Sequence, residues 1–257
     1  MTIEQYDENI KCFLRTIRSK IVNGEIYING IETKQGDRDL VTTVDKEVEE
    51  LITNNILSLM PGVKIIGEES YSCEINYSEN NFWIIDPIDA TANFVKQNED
   101  FAILLAYFEK GKPILSYIYN IQKNELFSSI AGKGVFKNNI KLNKPFNLSL
   151  GDSLVSVELR NISKKEWFDK LLENSFDLRY IGCAGLDAAR VLEGKYGAYI
   201  CPKLHLWDYA PLLLMSEELG LNLSDFNGDP VSFAYETDIL ISTKQFLKDF
   251  LVKVKEK

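Results

Sequence analysis

The sequence predicts an α/β fold in two unlike halves: an N-terminal helix pair plus antiparallel meander, then a C-terminal half of alternating strands and helices. Three observations predict it. Apolar residues recur at helical spacing twice within the first 60 positions, short apolar runs broken by glycine and asparagine fill 82–138, and strand-like and helix-like segments alternate after 150.

Each element has its own signal. Ile3, Tyr6, Ile10, Phe13, Ile17 and Ile21 share one face of a helix over 2–23, and Gly24 stops it. Positions 25–42 form a turn-rich connection containing Asn29-Gly30 and Gly36-Asp37. Val44, Val48, Leu51, Ile52, Ile56 and Leu59 line a second helix over 44–60, ended by Pro61-Gly62. A short buried strand at Val63–Ile66 runs into Gly67-Glu68-Glu69-Ser70. Phe82–Asp86 is a strand that Pro87 stops, because proline has no N–H for the ladder. Phe101–Phe108, Pro113–Tyr119, Glu125–Ala131 and Gly134–Asn138 form a meander of hairpins, and Asn138-Asn139 suits a tight turn. Strands at 154–158, 178–181, 196–200 and 238–242 then alternate with helices at 164–173, 185–193, 208–219 and 244–254. Lys144–Asp152 is rich in turn residues, so the seam between an N-terminal α+β half, 1–147, and a C-terminal α/β half, 148–257, falls there.

Composition narrows the function. The chain has 257 residues, 45% hydrophobic and 26% charged, which are globular proportions. Its longest clean apolar run, Phe101–Phe108, is eight residues, against the roughly 18–20 a membrane span needs. The N-terminus has neither a basic region nor an apolar stretch of the secretory kind. A net charge of −9 argues against a nucleic-acid partner, which selects a basic face. The four cysteines, Cys12, Cys73, Cys183 and Cys201, form no CxxC pair and read as reduced cytoplasmic thiols. There is one histidine, His205, so acid–base and metal chemistry falls to carboxylates; His205 itself reads as structural.

The carboxylates gather around Trp83–Phe94, WIIDPIDATANF. A buried strand delivers Asp86 to its carboxyl end, and Asp89 follows three residues later. Two carboxylates held in one cleft need a proton or a cation. The plainer alternative makes Asp89 a helix cap and Asp86 a turn residue. Glu68 ends the preceding strand and meets Asp86 if the strand ends share one sheet edge; otherwise it sits on a solvated acidic turn. Asp208, in LHLWDYAP, precedes an amphipathic helix and equally suits an N-cap. Asp45, in DLVTTVD with Asp39, falls in the first turn of the second helix behind a cap at Thr42 or Thr43. Together Glu68, Asp86, Asp89 and Asp208 make an oxygen-only ligand set suited to Mg2+ or Mn2+ and not to zinc.

The combination of DLVTTVD (39–45), MPGVKIIGEES (60–70), WIIDPIDATANF (83–94), GKGVFKNN (132–139) and LWDYA (206–210) resembles the inositol monophosphatase family, the lithium-sensitive, Mg2+-dependent phosphatase superfamily. The resemblance covers nearly the whole chain. It implies a layered αβαβα sandwich, a homodimer and hydrolysis of a small phosphorylated metabolite. It places one metal on Glu68, Asp86 and the Ile88 carbonyl, a second on Asp86, Asp89 and Asp208, and a third, looser one on Glu68 and water. Asp45 and Thr91 then position and activate the attacking water. Ala90, Thr91 and Ala184 lie on the phosphate and substrate side together with Asp89, and Lys34 matches a lysine of a mobile loop.

The chain departs from the family pattern at three places. Ala90 replaces a glycine, which costs about 1 kcal/mol if φ there is positive. Pro211 replaces a small residue, harmlessly if Asp208 is the N-cap and Pro211 falls in the first turn. Cys201 stands where the family carries a glutamate that binds the inositol ring, so a sugar phosphate, a polyol phosphate or the 2′-phosphate of NADP competes with inositol phosphate as substrate. The alternative from another class is a non-catalytic phosphate- or metal-binding regulator descended from such an enzyme.

Overall fold

The computed structural model describes residues 1–33, 40–71, 76–158 and 166–255. Helix α1 (Ile3–Val22) opens with a capping box: Gln5 N donates to Thr2 Oγ1 and Thr2 N donates to Gln5 Oε1. Its apolar stripe, Ile10, Leu14, Ile17 and Ile21, is buried. The turn-rich connection contains a small hairpin, β1 (Ile31–Thr33) with β2 (Leu40–Thr42), that apolar patterning did not signal. Helix α2 is Thr43–Leu59.

A seven-stranded sheet follows, in the order β3 (Lys64–Gly67), β4 (Asn81–Asp89), β5 (Ala102–Glu109), β6 (Lys112–Asn120), β7 (Glu125–Ile130), β8 (Gly134–Lys137), β9 (Ile140–Lys141). The β3–β4 pair is parallel and the remainder is the expected meander. Asn138 and Asn139 both take positive φ, 48° and 67°, and make the tight turn between β8 and β9. Pro87 does not stop its strand. Pairing with β5 runs through Asp86↔Leu104 and resumes at Asp89↔Ala102, so Pro87 and Ile88 face a single partner residue in a bulge, where a missing N–H breaks no ladder bond.

The second sheet has the order β11 (Asp177–Arg179), β10 (Leu154–Val157), β12 (Ala198–His205), β14 (Glu236–Ser242), β13 (Asn222–Ser224). Helices α4 (Glu166–Asn174), α5 (Ala184–Leu192), α6 (Leu206–Leu219) and α7 (Lys244–Phe250) alternate with these strands, and α7 relaxes into a π-type turn over Leu251–Lys255. The start of the helix expected at 164, together with Lys34, Gly36-Asp37, Asp39 and Cys73, lies outside the described residues.

The layers are helix, sheet, helix, sheet, helix. On one face of the large sheet Trp83, Ile85, Ile103 and Leu105 pack beneath α1 and α2. Phe82, Ile84, Leu104 and Ala106 alternate with them and meet α5, α6 and the inner face of the second sheet. That sheet's outer face, with Val155, Ile200 and Leu240, packs on Leu171 of α4 and on Phe246 and Phe250 of α7. Strands buried on both faces explain the near-continuous apolar runs. No helix among the described residues is long and apolar enough to cross a membrane.

Candidate active site

The bulge in β4 aims two carboxylates into one cleft. Ile88 N donates to Asp86 Oδ1 at 3.0 Å, folding the Asp86 carboxylate back over the proline turn. Ala90 then takes the left-handed conformation, φ 71° and ψ 54°, as the chain enters the short helix α3 (Thr91–Gln97). The strain expected for alanine at a positive φ is therefore present. Asp89 does not cap α3, whose N-cap is Ala90 with no side-chain bond. Its carboxylate crosses instead to the start of α5, accepting from Ala184 N at 3.2 Å, Gly185 N at 2.7 Å and Cys183 Sγ at 3.0 Å. Two open amides at a helix N-terminus suit a carboxylate. Gly185 permits the approach: a Cβ there would lie 2.5 Å from Leu104 Cδ2 and 3.2 Å from Asp89 Oδ2.

Asp208 comes from α6. That helix begins two residues earlier than its sequence suggests, with His205 at the N-cap, so Asp208 is the third helical residue and not the cap. Pro211 consequently sits in the second turn, where its missing N–H leaves the Trp207 carbonyl without its helical donor. Carboxylate oxygens of Asp86, Asp89 and Asp208 all lie within 4.8 Å of one another. Burial raises the Asp86 carboxyl well above the usual range, and the charges of Glu68, Asp208 and Asp89 raise it further. Burial also raises Asp89, to about 6, against the Cys183, Gly185 and Ala184 hydrogen bonds that lower it. Asp208 is raised by burial and by Asp89 and Glu68. Three crowded, desolvated carboxylates with oxygen-only donors fit a hard divalent cation. Glu68 lines the same cleft, with Ile88, outside this compact group.

Behind the cluster stands a buried relay. Thr91 Oγ1 lies 2.9 Å from Asp45 Oδ1 and 3.2 Å from the Ile88 carbonyl. Asp45 is fully buried at the third position of α2, and its Oδ2 accepts from Thr42 N at 2.8 Å and Thr42 Oγ1 at 2.5 Å. Thr42, the first of the two candidate threonines, is thus the N-cap, and the capping box that starts the helix also aims Asp45.

Several contributors gave no clear sign in the sequence. Glu49 is buried in α2 and accepts the Glu69 amide at 2.8 Å, fixing the turn that carries Glu68. A Cβ on Gly67 would run into the buried Glu49 carboxylate, which would have to shift. Asp187, one turn into α5, accepts from the Ile181 and Gly182 amides and shapes the entry to Cys183. Glu49 is one of four acidic residues in α2 and Asp187 the single one in α5, and only the third dimension brings either to the cleft. The cleft, of about 200 Å3, is also lined by Ala90, Thr91, Ala184, Cys201, Glu158 and Trp207. His205 stacks on Trp207 at 5.0 Å and meets Tyr235 edge-on, a packing role.

The profile of the inositol monophosphatase family matches residues 13–257. The inositol-1-monophosphatase of Bacillus subtilis is 32% identical over 241 residues, 92% of this chain and 91% of the relative. The Nus factor SuhB of Vibrio cholerae is 33% identical over 230 residues, 87% of this chain and 85% of the relative. The solved structure of an IMPase/NADP phosphatase complexed with Mg2+ and phosphate superposes with a TM-score of 0.93 at 34% identity, covering 100% of this chain and 97% of that one. With the profile spanning nearly its whole length, the chain belongs to the inositol monophosphatase family of phosphatases.

Proposed function

We propose that the protein hydrolyses a small phosphate monoester in a Mg2+-dependent reaction, by attack of an activated water; Mn2+ would substitute. The observation that carries this is the convergence of Asp86, Asp89 and Asp208 within 4.8 Å. Glu68, Asp86 and the Ile88 carbonyl would hold one cation, Asp86, Asp89 and Asp208 a second, and Glu68 with water a third. When bound, such cations lower the pKa of a water and offset charge on the departing oxygen.

The chain's own groups do the rest. The Thr91 hydroxyl has one proton, directed to Asp45 or Ile88, so its lone pairs face the cleft as acceptors for a water hydrogen. Thr91 orients that water, and Asp45 receives the proton through Thr91. The Ala90 and Thr91 amides hold phosphate oxygens, and Ala184 sits on the substrate side. Asp86 and Asp89 serve as ligands, so no phosphoenzyme forms. Lys34, which matches a family lysine, would add a positive charge. The alcohol is an inositol-1-phosphate-like ring, a sugar or polyol phosphate, or the NADP 2′-phosphate of the kind named for the solved relative. The protein acts as a cytoplasmic homodimer.

A second reading, a non-catalytic phosphate- or metal-binding regulator, draws on the strained Ala90, the mid-helix Pro211 and a relative named as a Nus factor. Purified protein separates the two. Phosphate release that requires Mg2+ and is suppressed by Li+ supports the enzyme. Phosphate binding without turnover across inositol, sugar and nucleotide phosphates supports the regulator.

A further inference from the structure

One side chain joins the two walls of the cleft without belonging to the carboxylate cluster or the relay. Asn93 is the third residue of α3, two after Thr91. Its Nδ2 donates to the Asp100 carbonyl at 2.9 Å and to the Ile181 carbonyl at 3.2 Å. Carbonyls only accept, so both amide hydrogens are committed and the orientation of the amide is fixed. The Asp100 bond ties α3 to the chain that leads into β5. The Ile181 bond spans 88 residues of sequence and reaches the segment that leads into α5.

That segment is held from its other side as well. Ile181 N donates to Asp187 Oδ1 at 3.2 Å and Gly182 N to Asp187 Oδ2 at 3.1 Å, while Ser156 Oγ of β10 donates to the same carboxylate. Gly182 then turns the chain at φ 81°, and α5 begins with the Ala184 and Gly185 amides that grip Asp89. A line of bonds therefore runs from the second sheet through Asp187 and Ile181 to Asn93. Helix α3 depends on such ties, because it has seven residues and no side-chain bond at its N-cap. Thr91 Oγ1 tethers it on the α2 side, through Asp45, and Asn93 tethers it on the α5 side. Ala90, Thr91 and Ala92 line the cleft on one wall, Gly182 and Ala184 on the other.

We infer that Asn93 is a positioning residue for phosphate hydrolysis, setting the distance between the α3 wall and the α5 wall of the cleft. This rests on the phosphatase activity proposed above, in which the Ala90 and Thr91 amides hold phosphate oxygens and Thr91 orients the water. Asp89 is gripped by α5 and keeps its place with the other carboxylates. Thr91 and the two amides travel with α3. Without the Asn93 amide the cation ligands stay as they are, while the phosphate cradle and the attacking water lose register with them. A misplacement of about 1 Å costs roughly a hundredfold in rate.

The test compares wild type, Asn93→Ala and Asn93→Asp on inositol 1-phosphate and p-nitrophenyl phosphate with Mg2+ present. Aspartate keeps the shape of asparagine but offers only acceptors to the two carbonyls. Each variant, assayed well below its melting temperature, is expected to lose at least about tenfold in kcat, with the Mg2+ concentration for half-maximal activity within about twofold of wild type. Inhibition by inorganic phosphate should weaken severalfold. Combined with Asp187→Asn, the two kcat losses are expected to give less than their product, because both changes act on the segment at Ile181. A lowered melting temperature with kcat and phosphate inhibition unchanged in either variant overturns the role of Asn93 and leaves the phosphatase reading standing. So does a kcat loss that raised Mg2+ restores in full, which places the effect on the cation ligands. A wild type that releases no phosphate from either substrate overturns both.

Discussion

Thr91 Oγ1 stands 2.9 Å from Asp45 Oδ1, joining the first turn of α3 to the first turn of α2 beneath the carboxylate cluster. Removing the hydroxyl in Thr91→Val takes away both the water acceptor and the route to Asp45. A loss of 10²–10⁴-fold in kcat, roughly, is expected. Thr91→Ser keeps the hydroxyl and should retain most activity. Steady-state kinetics of the two variants check this.

Asp86→Asn should reduce kcat to below about a tenth, because Asp86 is shared between two of the three proposed cation sites. The same change removes charge crowding, so the metal-free variant should melt no lower than the wild type. Phosphate release and thermal unfolding in chelator test the two halves of this prediction.

Ala90 has φ 71°. Glycine relieves a strain of about 1 kcal/mol there, partly offset by the freedom it adds to the unfolded chain. Ala90→Gly should melt at or slightly above the wild-type temperature, and Ala90→Val well below it.

The carboxylate cluster sets a pH dependence. Asp89 is raised to about 6 in the fold, by burial first, and Asp86 and Asp208 are raised well above the usual range. A raised carboxyl favours the folded state while protonated. That contribution is complete below the unfolded pKa of about 3.9 and is lost as pH climbs through the folded value. Metal-free protein should lose stability through Asp89 between about pH 4 and 6, and through Asp86 and Asp208 from about pH 4 upward. Added Mg2+ should bind more tightly over the same climb and restore the lost stability. Unfolding midpoints against pH, in chelator and in Mg2+, provide the check.

Gly67→Ala drives a methyl into the Glu49 carboxylate and displaces the turn bearing Glu68. A rise in the Mg2+ concentration needed for half-maximal activity, with a drop in melting temperature, is expected.

The layers were legible because apolar periodicity records burial directly: α1, α2 and the meander follow their stripes to within a residue or two. The β1–β2 hairpin and β13 were not, because three-residue strands carry too little pattern. Pro87 misled, since a bulge absorbs a missing donor without ending a strand. The acid set around Asp86 was visible as a cluster of types along the chain, but its aim was not. The alternative of a local cap fails for Asp89, whose carboxylate serves α5, 95 residues away at Ala184. The alternative of an N-cap fails for Asp208, because Leu206 and Trp207 already begin the helix. Glu49 and Cys183 stayed hidden because their partners are distant in sequence.

The most direct test is phosphate release by the purified wild-type protein from inositol 1-phosphate and p-nitrophenyl phosphate, titrated with Mg2+ from a chelated start. Turnover that is absent in chelator, appears with Mg2+, falls with Li+ and vanishes in Asp208→Asn is the expected result. Undiminished turnover in chelator, or none at any Mg2+ concentration, would contradict it.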